Sequence, residues 1–167
     1  KARALLKAAG VYGSTVEFSV PTLPYATAAS QVIVSDLKNV GPNVRIKQVE
    51  FPAVWLDKVF SSHDFQLSLV AHVEPREVLP LLAPGDYLGY KNPKVPALAA
   101  AADAGDEASF VRDMRQVVRT AIVDDAAADT LFLLPTLNVM RAGVSGLPVN
   151  APTTALDLSH VSKEAAK

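Results

Sequence analysis

A chain of 167 residues, half of them apolar and a fifth charged, is sized for one domain and can bury roughly 70% of the surface its unfolded form exposes. That excludes the intrinsically disordered class, and a net charge of -1 gives no pull toward nucleic acid or anionic lipid. The absence of Cys removes thiolate nucleophiles, thiolate metal ligands and disulfides together, and no apolar run reaches the length of a membrane-spanning helix.

The chain opens on Lys1 and not on Met, and no basic segment leading into an apolar one stands at its start. The expectation is a piece cut from a longer protein. Ala4, Leu5, Ala8 and Ala9 recur at helical spacing up to Gly10, which predicts a first helix over 1–9. Val16, Phe18 and Val20 alternate with Glu17 and Ser19 before Pro21, the period of a strand. Ala26, Ala29, Ile33, Leu37 and Val40 then share one helical face, closed by Gly41 and Pro42. Residues 44–51 form a second predicted strand, in which Val44 and Ile46 are out of phase with Val49 and Phe51. Either a bulge or a change of burial near Lys47 and Gln48 follows. Residues 53–60 place Trp55, Leu56, Val59 and Phe60 on a helical stripe.

Residues 64–75 are the stretch around which the rest is expected to be arranged. Apolar residues occupy both alternation sets, Phe65, Leu67, Leu69 and Ala71 on one side and Val70 on the other, as in a buried central strand. His72, Glu74 and Pro75 mark its exit. The order so far, α-β-α-β-α-β, argues for an α/β fold with a mostly parallel sheet and helices on both faces. Ligands of such sheets sit beyond the carboxyl ends of strands, which makes this exit the leading candidate site.

Beyond Pro75 the pattern predicts one or two helical turns over 76–82, a turn-rich loop over 84–93 and a helix over 96–104 with Pro96 in its first turn. A longer helix over 107–125 has Asp106 as its cap. Phe110, Met114, Val117, Val118, Ala121 and Ile122 make its apolar face, with Arg112, Arg115 and Arg119 outward. Residues 130–134, bounded by Pro135, read as a fourth strand, with Val139 and Met140 as its extension, and 156–161 as a short further one. The domain reading is a single α/β lobe over 1–162 and a frayed tail over 163–167.

Chemistry-bearing residues are sparse. His72 and Glu74 have the spacing that puts two ligands on one strand face, and His-x-Glu opens the zinc deaminase signature, but the Pro-Cys-x-x-Cys it requires is absent. Solvated or loop-bonded polar residues at a strand end are the plainer reading, and no metal is expected. Gly143, Ser145 and Gly146 fall short of a nucleophile elbow and read as a turn. His63 precedes the strand and His160 lies near the chain's end, so neither joins His72 in a catalytic set. No glycine cluster has phosphate-cradle spacing. Tyr25 either contacts a ligand, beside backbone N–H groups that favour an anion, or packs over Pro21 and Pro24. Trp55 reads as core, and the three arginines as a solvated helix face.

Taken together the segments resemble the carboxyl-terminal lobe of the extracytoplasmic solute-binding proteins that serve oligopeptide and dipeptide ABC importers (family 5). The resemblance runs through the opening helix Lys1-Ala-Arg-Ala-Leu-Leu-Lys-Ala-Ala-Gly10, Val16-Glu-Phe-Ser-Val20, Asp36-Leu-Lys-Asn-Val-Gly41, and Val44-Arg-Ile-Lys-Gln-Val-Glu50 followed by Trp55. It continues through Tyr90-Lys-Asn-Pro93, the helix over 107–125 and the strand into Leu134-Pro135. It implies one lobe of a type II periplasmic-binding-protein fold and a non-enzymatic receptor without cofactor or catalytic residues. Such a receptor binds a small solute, such as a peptide, in a cleft between lobes and delivers it to the permease. The implied partners are the solute, the amino-terminal lobe of the same parent chain and the ABC permease, with no nucleic acid and no membrane span in this chain. The implied location is extracytoplasmic, with a lipid anchor on the full-length parent. Tyr25, Ser68, Ala71, His72 and Glu74 are the candidate cleft wall.

One departure from the family pattern falls on that wall. Peptide-binding relatives follow the central strand with a Trp and then an Asp that pairs with the peptide's terminal amine, where this chain has Ser68 and Ala71. An ammonium held out of water needs a carboxylate. The resemblance therefore implies a solute other than a free-amine peptide, unless Glu74 turns into the cleft. The competing reading is an independent flavodoxin-like or Rossmann-like domain, acting as a small enzyme or an interaction module. An enzyme would need a convergent set of titratable groups, which the sequence does not supply.

Overall fold

The computed structural model of the protein describes residues 1–73, 78–83, 85–135, 137–149 and 156–164. It separates into two compact units, Lys1–Val70 and Ala71–Lys167.

The first unit is built on one strand. Helix α1 (Ala2–Ala8) lies on the surface and buries no residue; Arg3 Nε ties it to α2 by donating to the Asn39 carbonyl at 2.9 Å, a cation placed at a helix's carboxyl end. Strand β1 (Thr15–Pro21) buries Phe18, Ser19 and Val20 almost completely. Helix α2 (Pro24–Val40) starts on a Pro, whose missing N–H falls where the helix would leave it unpaired. It stops at Gly41, where φ is 141° and an added Cβ would approach the Tyr12 ring to 2.6 Å; only glycine fits on both counts.

Strand β2 (Asn43–Val49) runs parallel to β1 in unbroken register, from Thr15 opposite Asn43 to Pro21 opposite Val49. The ladder has no bulge. The phase break in the sequence is instead a change of burial, with Lys47 and Gln48 both exposed and Val49 buried. Helix α3 (Ala53–Trp55) runs on into a π-helical turn, Leu56–Ser61. Of the predicted stripe Trp55 and Val59 are buried, while Leu56 and Phe60 are 44% and 46% exposed.

Strand β3 (Leu67–Ser68) pairs parallel with β1 through Phe18 and Ser19, and the sheet order is β2-β1-β3. The expected central strand over 64–75 is thus corrected: β1 is central, and β3 is a two-residue edge of the described sheet, its flanking apolar residues only half buried. Apolar residues in both alternation sets signal burial on two faces, but they do not count ladder partners. Phe18, Val20 and Ala26 form the core of this unit, with Leu23, Ile33, Val34, Ile46, Leu67 and Leu69 packed around them.

The second unit is helical at its centre. Helices α4 (Val78–Leu81), α5 (Lys94–Ala104) and α6 (Glu107–Val118) follow one another, and α6 continues through π-helical turns, Arg119–Asp124. Asp106 caps α6 as expected, its carboxylate accepting from the Ser109 N–H at 2.8 Å. Pro96 is the third residue of α5, a position whose N–H has no intrahelical partner. Leu82, Val95, Val117 and Ala121 form the core, with Leu79, Leu88, Leu98 and Met114 against it. Val118, assigned to the apolar face of α6, is 40% exposed. The three arginines are exposed as expected, and Arg112 pairs with the adjacent Asp113 at 2.8 Å.

The expected fourth strand over 130–134 is not formed among the described residues: it has no ladder partner, and Phe132 and Leu133 are 52% and 92% exposed. The short strand expected over 156–161 lies further on. Strands β4 (Val144–Ser145) and β5 (Ser162–Lys163) pair antiparallel, and the Glu164 N–H donates to the Gly143 carbonyl at 2.9 Å, so backbone pairing persists past residue 163. Gly146, at φ 89°, lets the two segments approach; a Cβ there would run into the His160 carbonyl. No helix among the described residues is long and apolar enough to cross a membrane.

These burials separate two truncations. Phe18→Ala should cost about 3–5 kcal/mol in urea unfolding, whereas Leu133→Ala should change stability by no more than about 0.5 kcal/mol. Comparable losses at the two positions would contradict the assignment of the core.

Candidate functional site

The five candidate residues divide between the two units. In the first unit the carboxyl ends of the parallel strands lie at Pro21, Val49 and Ser68. Tyr25 stands in the first turn of α2, just after the end of β1. It is half buried and packs against the Phe18, Val20 and Ala26 cluster.

Ser68 is drawn inward. Its hydroxyl donates to the Ser19 carbonyl at 2.8 Å and accepts from the Trp55 indole N–H at 3.1 Å. Trp55 is 3% exposed and Ser19 2%, so Ser68 satisfies two buried groups at once; leaving them unpaired would cost about 1–3 kcal/mol each. Ser68 thus joins the edge strand to β1 and to the helix before it. Trp55 is core, tilted against Phe51 with ring centroids 6.0 Å apart.

Ala71 and His72 open the second unit. Ala71 is half buried and its methyl group offers no charge to an ammonium. His72 is exposed, and its Nε2 lies 2.9 Å from the Tyr87 hydroxyl. The two rings stack with centroids 6.1 Å apart at 22°. Glu74 lies outside the described residues. No three His, Asp or Glu side chains converge on a metal-sized site among the described residues.

Two open grooves lie elsewhere, one in each unit. A groove of about 390 Å³ is lined by Glu17, His63, Asp64, Phe65 and Gln66, at the amino ends of the strands. The Gln66 side chain accepts there from the Glu17 N–H at 2.7 Å, and Lys47 pairs with Glu17 at 2.8 Å; the bond to Glu17 holds the ammonium above the usual lysine range. A groove of about 540 Å³ between α5 and the end of α6 is lined by Asn92, Lys94, Leu98, Gln116, Thr120 and Asp125. Asp125 is the anchor of its rim, accepting from the Tyr90 hydroxyl and the Asn92 amide at 2.6 Å each. Those bonds, Tyr90 first, hold its carboxyl below the usual range, while burial, and then the bond to Asp125, push the Tyr90 phenol up. Asn92 also accepts from the Lys94 N–H at 3.0 Å at the start of α5. The cluster fastens the loop before α5 to the end of α6.

Sequence reasoning missed Tyr87 and Asp125. Tyr87 sits in a stretch whose only signal is turn formation, and Asp125 acts through partners 33 and 35 positions away. Ser145 has the hydroxyl of Ser162 as its neighbour at 3.1 Å, on an exposed strand pair; the expected turn is confined to Ala142 and Gly143, and no nucleophile elbow is formed.

No family model matches this chain, and no curated protein matches it. Among solved structures it is similar to one described as the crystal structure of a peptide ABC transporter, peptide-binding protein, with 20% sequence identity and a TM-score of 0.58. The match covers 73% of this chain and 58% of that one. This chain therefore corresponds to little more than half of the matched protein's length. The likeness establishes the fold: an α/β arrangement with a parallel three-stranded sheet and helices, consistent with part of a periplasmic-binding-protein fold.

The carboxylate shifts set an acid limit. Asp106 is held below the usual range chiefly by the Ser109 N–H, and Asp125 by Tyr90 and Asn92. A carboxyl with a depressed folded pKa contributes its stability fully above the unfolded value of about 3.9, and that contribution disappears as pH falls through the folded value. Urea unfolding should therefore weaken below about pH 4, and the stability difference between the wild type and Asp125→Asn should shrink over the same window. A difference that stays constant from pH 7 to pH 3 would contradict the clamp.

Proposed function

We propose that this chain is one lobe, residues 1–162, of a type II solute-binding receptor for an ABC importer, related to family 5. The observation that carries the reading is its fold likeness to a peptide-binding protein of such a transporter over 73% of its length. In this reading the parent receptor lies outside the cytoplasmic membrane on a lipid anchor, closes two lobes around a solute and presents it to the permease without chemistry. Hinge closure of that kind needs a second wall. The exposed apolar run at Phe132, Leu133, Leu137 and Val139, the last three more than 80% exposed, supports a missing layer: a segment apolar on both sides belongs inside a fold and not on its surface.

The solute contacts we propose are Tyr25 and Ser68 in the first unit and Ala71, His72 and Glu74 in the sequence that follows it. Tyr25 and His72 contribute polar side-chain edges, Ser68 the frame, and Ala71 a small apolar surface. With a methyl group in the place of the amine-pairing carboxylate, the preferred solute is one without a free ammonium at that position.

Two measurements test the proposal. The reading frame ahead of Lys1 should extend by several hundred codons and open on a secretory or lipoprotein signal; a native start codon just ahead of Lys1 would overturn it. Calorimetric titration of the 167-residue chain with tripeptides should show no affinity in the micromolar range, since about -8 kcal/mol of binding requires a complete site. A micromolar Kd would show that the chain is a receptor by itself.

A further inference from the structure

Two stretches of open backbone edge differ in charge. Strand β2 is an outer strand of its sheet, with Arg45 and Lys47 exposed along it. A second copy approaching that edge brings cation against cation, which is how proteins keep sheet edges apart. Residues 131–134 carry no charge, and their N–H groups make no backbone hydrogen bond among the described residues. Their side chains, with those of Leu137 and Val139, form an apolar face open to solvent. With about 200 Å² for a fully exposed side chain of this size, six residues exposed by between 43% and 97% present on the order of 800 Å², about what each partner of a stable complex buries. A net charge of -1 leaves copies of this chain with almost no mutual repulsion.

We propose that this face docks a second copy of the 167-residue chain, as a two-fold dimer in which the 131–134 segments pair as antiparallel strands. A two-fold contact sets one patch against itself, and this patch is self-complementary. Residues 131–134 are Leu, Phe, Leu and Leu, so every register sets apolar side chains opposite one another and no like charges meet. Backbone N–H groups gain carbonyl partners, and the exposed side chains leave water. The proposal draws on the exposure and charge of this face and does not depend on the receptor reading. In a longer parent receptor the missing layer competes for the same face.

Sedimentation equilibrium of the whole chain is the test. The chain should be mostly dimer at about 100 micromolar and mostly monomer at about 1 micromolar, for a Kd on the order of 10 micromolar. Leu133→Lys changes a residue that is 92% exposed, and it takes the net charge from -1 to 0, so general repulsion between copies does not rise. It should raise Kd at least tenfold, because like charges then enter the interface, while urea unfolding at the lower concentration stays that of the wild type. Val32→Lys makes the same charge change at an exposed residue of α2 and should leave the dimer intact. Hydrogen exchange at the N–H groups of 131–134 should slow by about fourfold from the lower to the higher concentration, the ratio of free monomer fractions at that Kd. A chain that is monomeric at the higher concentration assigns the face to an unlike partner and overturns the proposal. So does a dimer that Leu133→Lys leaves intact, or one that Val32→Lys weakens equally. Association without slowed exchange at 131–134 overturns it as well.

Discussion

The hydrogen bonds that converge on Ser68 hold the first unit's edge strand in place. Strand β3 has only two residues in the sheet, too few for ladder bonds and apolar packing to fix its register alone. The Ser68 hydroxyl supplies the missing specification by donating to the carbonyl of Ser19, in the buried half of β1, and accepting from the Trp55 indole. One side chain thus couples the central strand, the edge strand and the helix between β2 and β3.

The second unit solves a similar problem by a different route. Its core lies between helices, at Val95, Val117 and Ala121, and carboxylates fix the ends: Asp106 at the start of α6 and Asp125 just past its end. Both act as acceptors for N–H and O–H groups that would otherwise face water or remain unpaired. The contrast with the segment after residue 128 is sharp. There the apolar run has no described partner, and its exposure is what places a further layer of protein in the functional proposal.

Much of the first unit was legible in the sequence because its signals are local. Period-2 alternation located β1, the spacing of Ala26, Ile33 and Leu37 located α2, and Gly41 with Pro42 marked the stop. The phase break in β2 was also visible, although sequence could not decide between a bulge and a burial change; the unbroken register decides it. The errors are all non-local. The stretch 64–71 was read as central because it is apolar on both sides, yet ladder partners depend on other strands. The segment 130–134 has a strand's composition and no partner in the described fold. The candidate residues show the same division: Tyr25 falls just past the end of β1, as the αβ order implied, whereas the inward bonding of Ser68 and the pairing of His72 with Tyr87 are tertiary facts with no signature in spacing.

The proposed receptor role requires the chain that follows β3 to line a solute site. The most direct measurement is the affinity of the complete receptor for its solute with and without the double change His72→Ala and Glu74→Ala. The account predicts at least a tenfold loss, about 1.4 kcal/mol, with unfolding by urea unchanged. Unaltered affinity would remove these two side chains from the site and contradict the assignment.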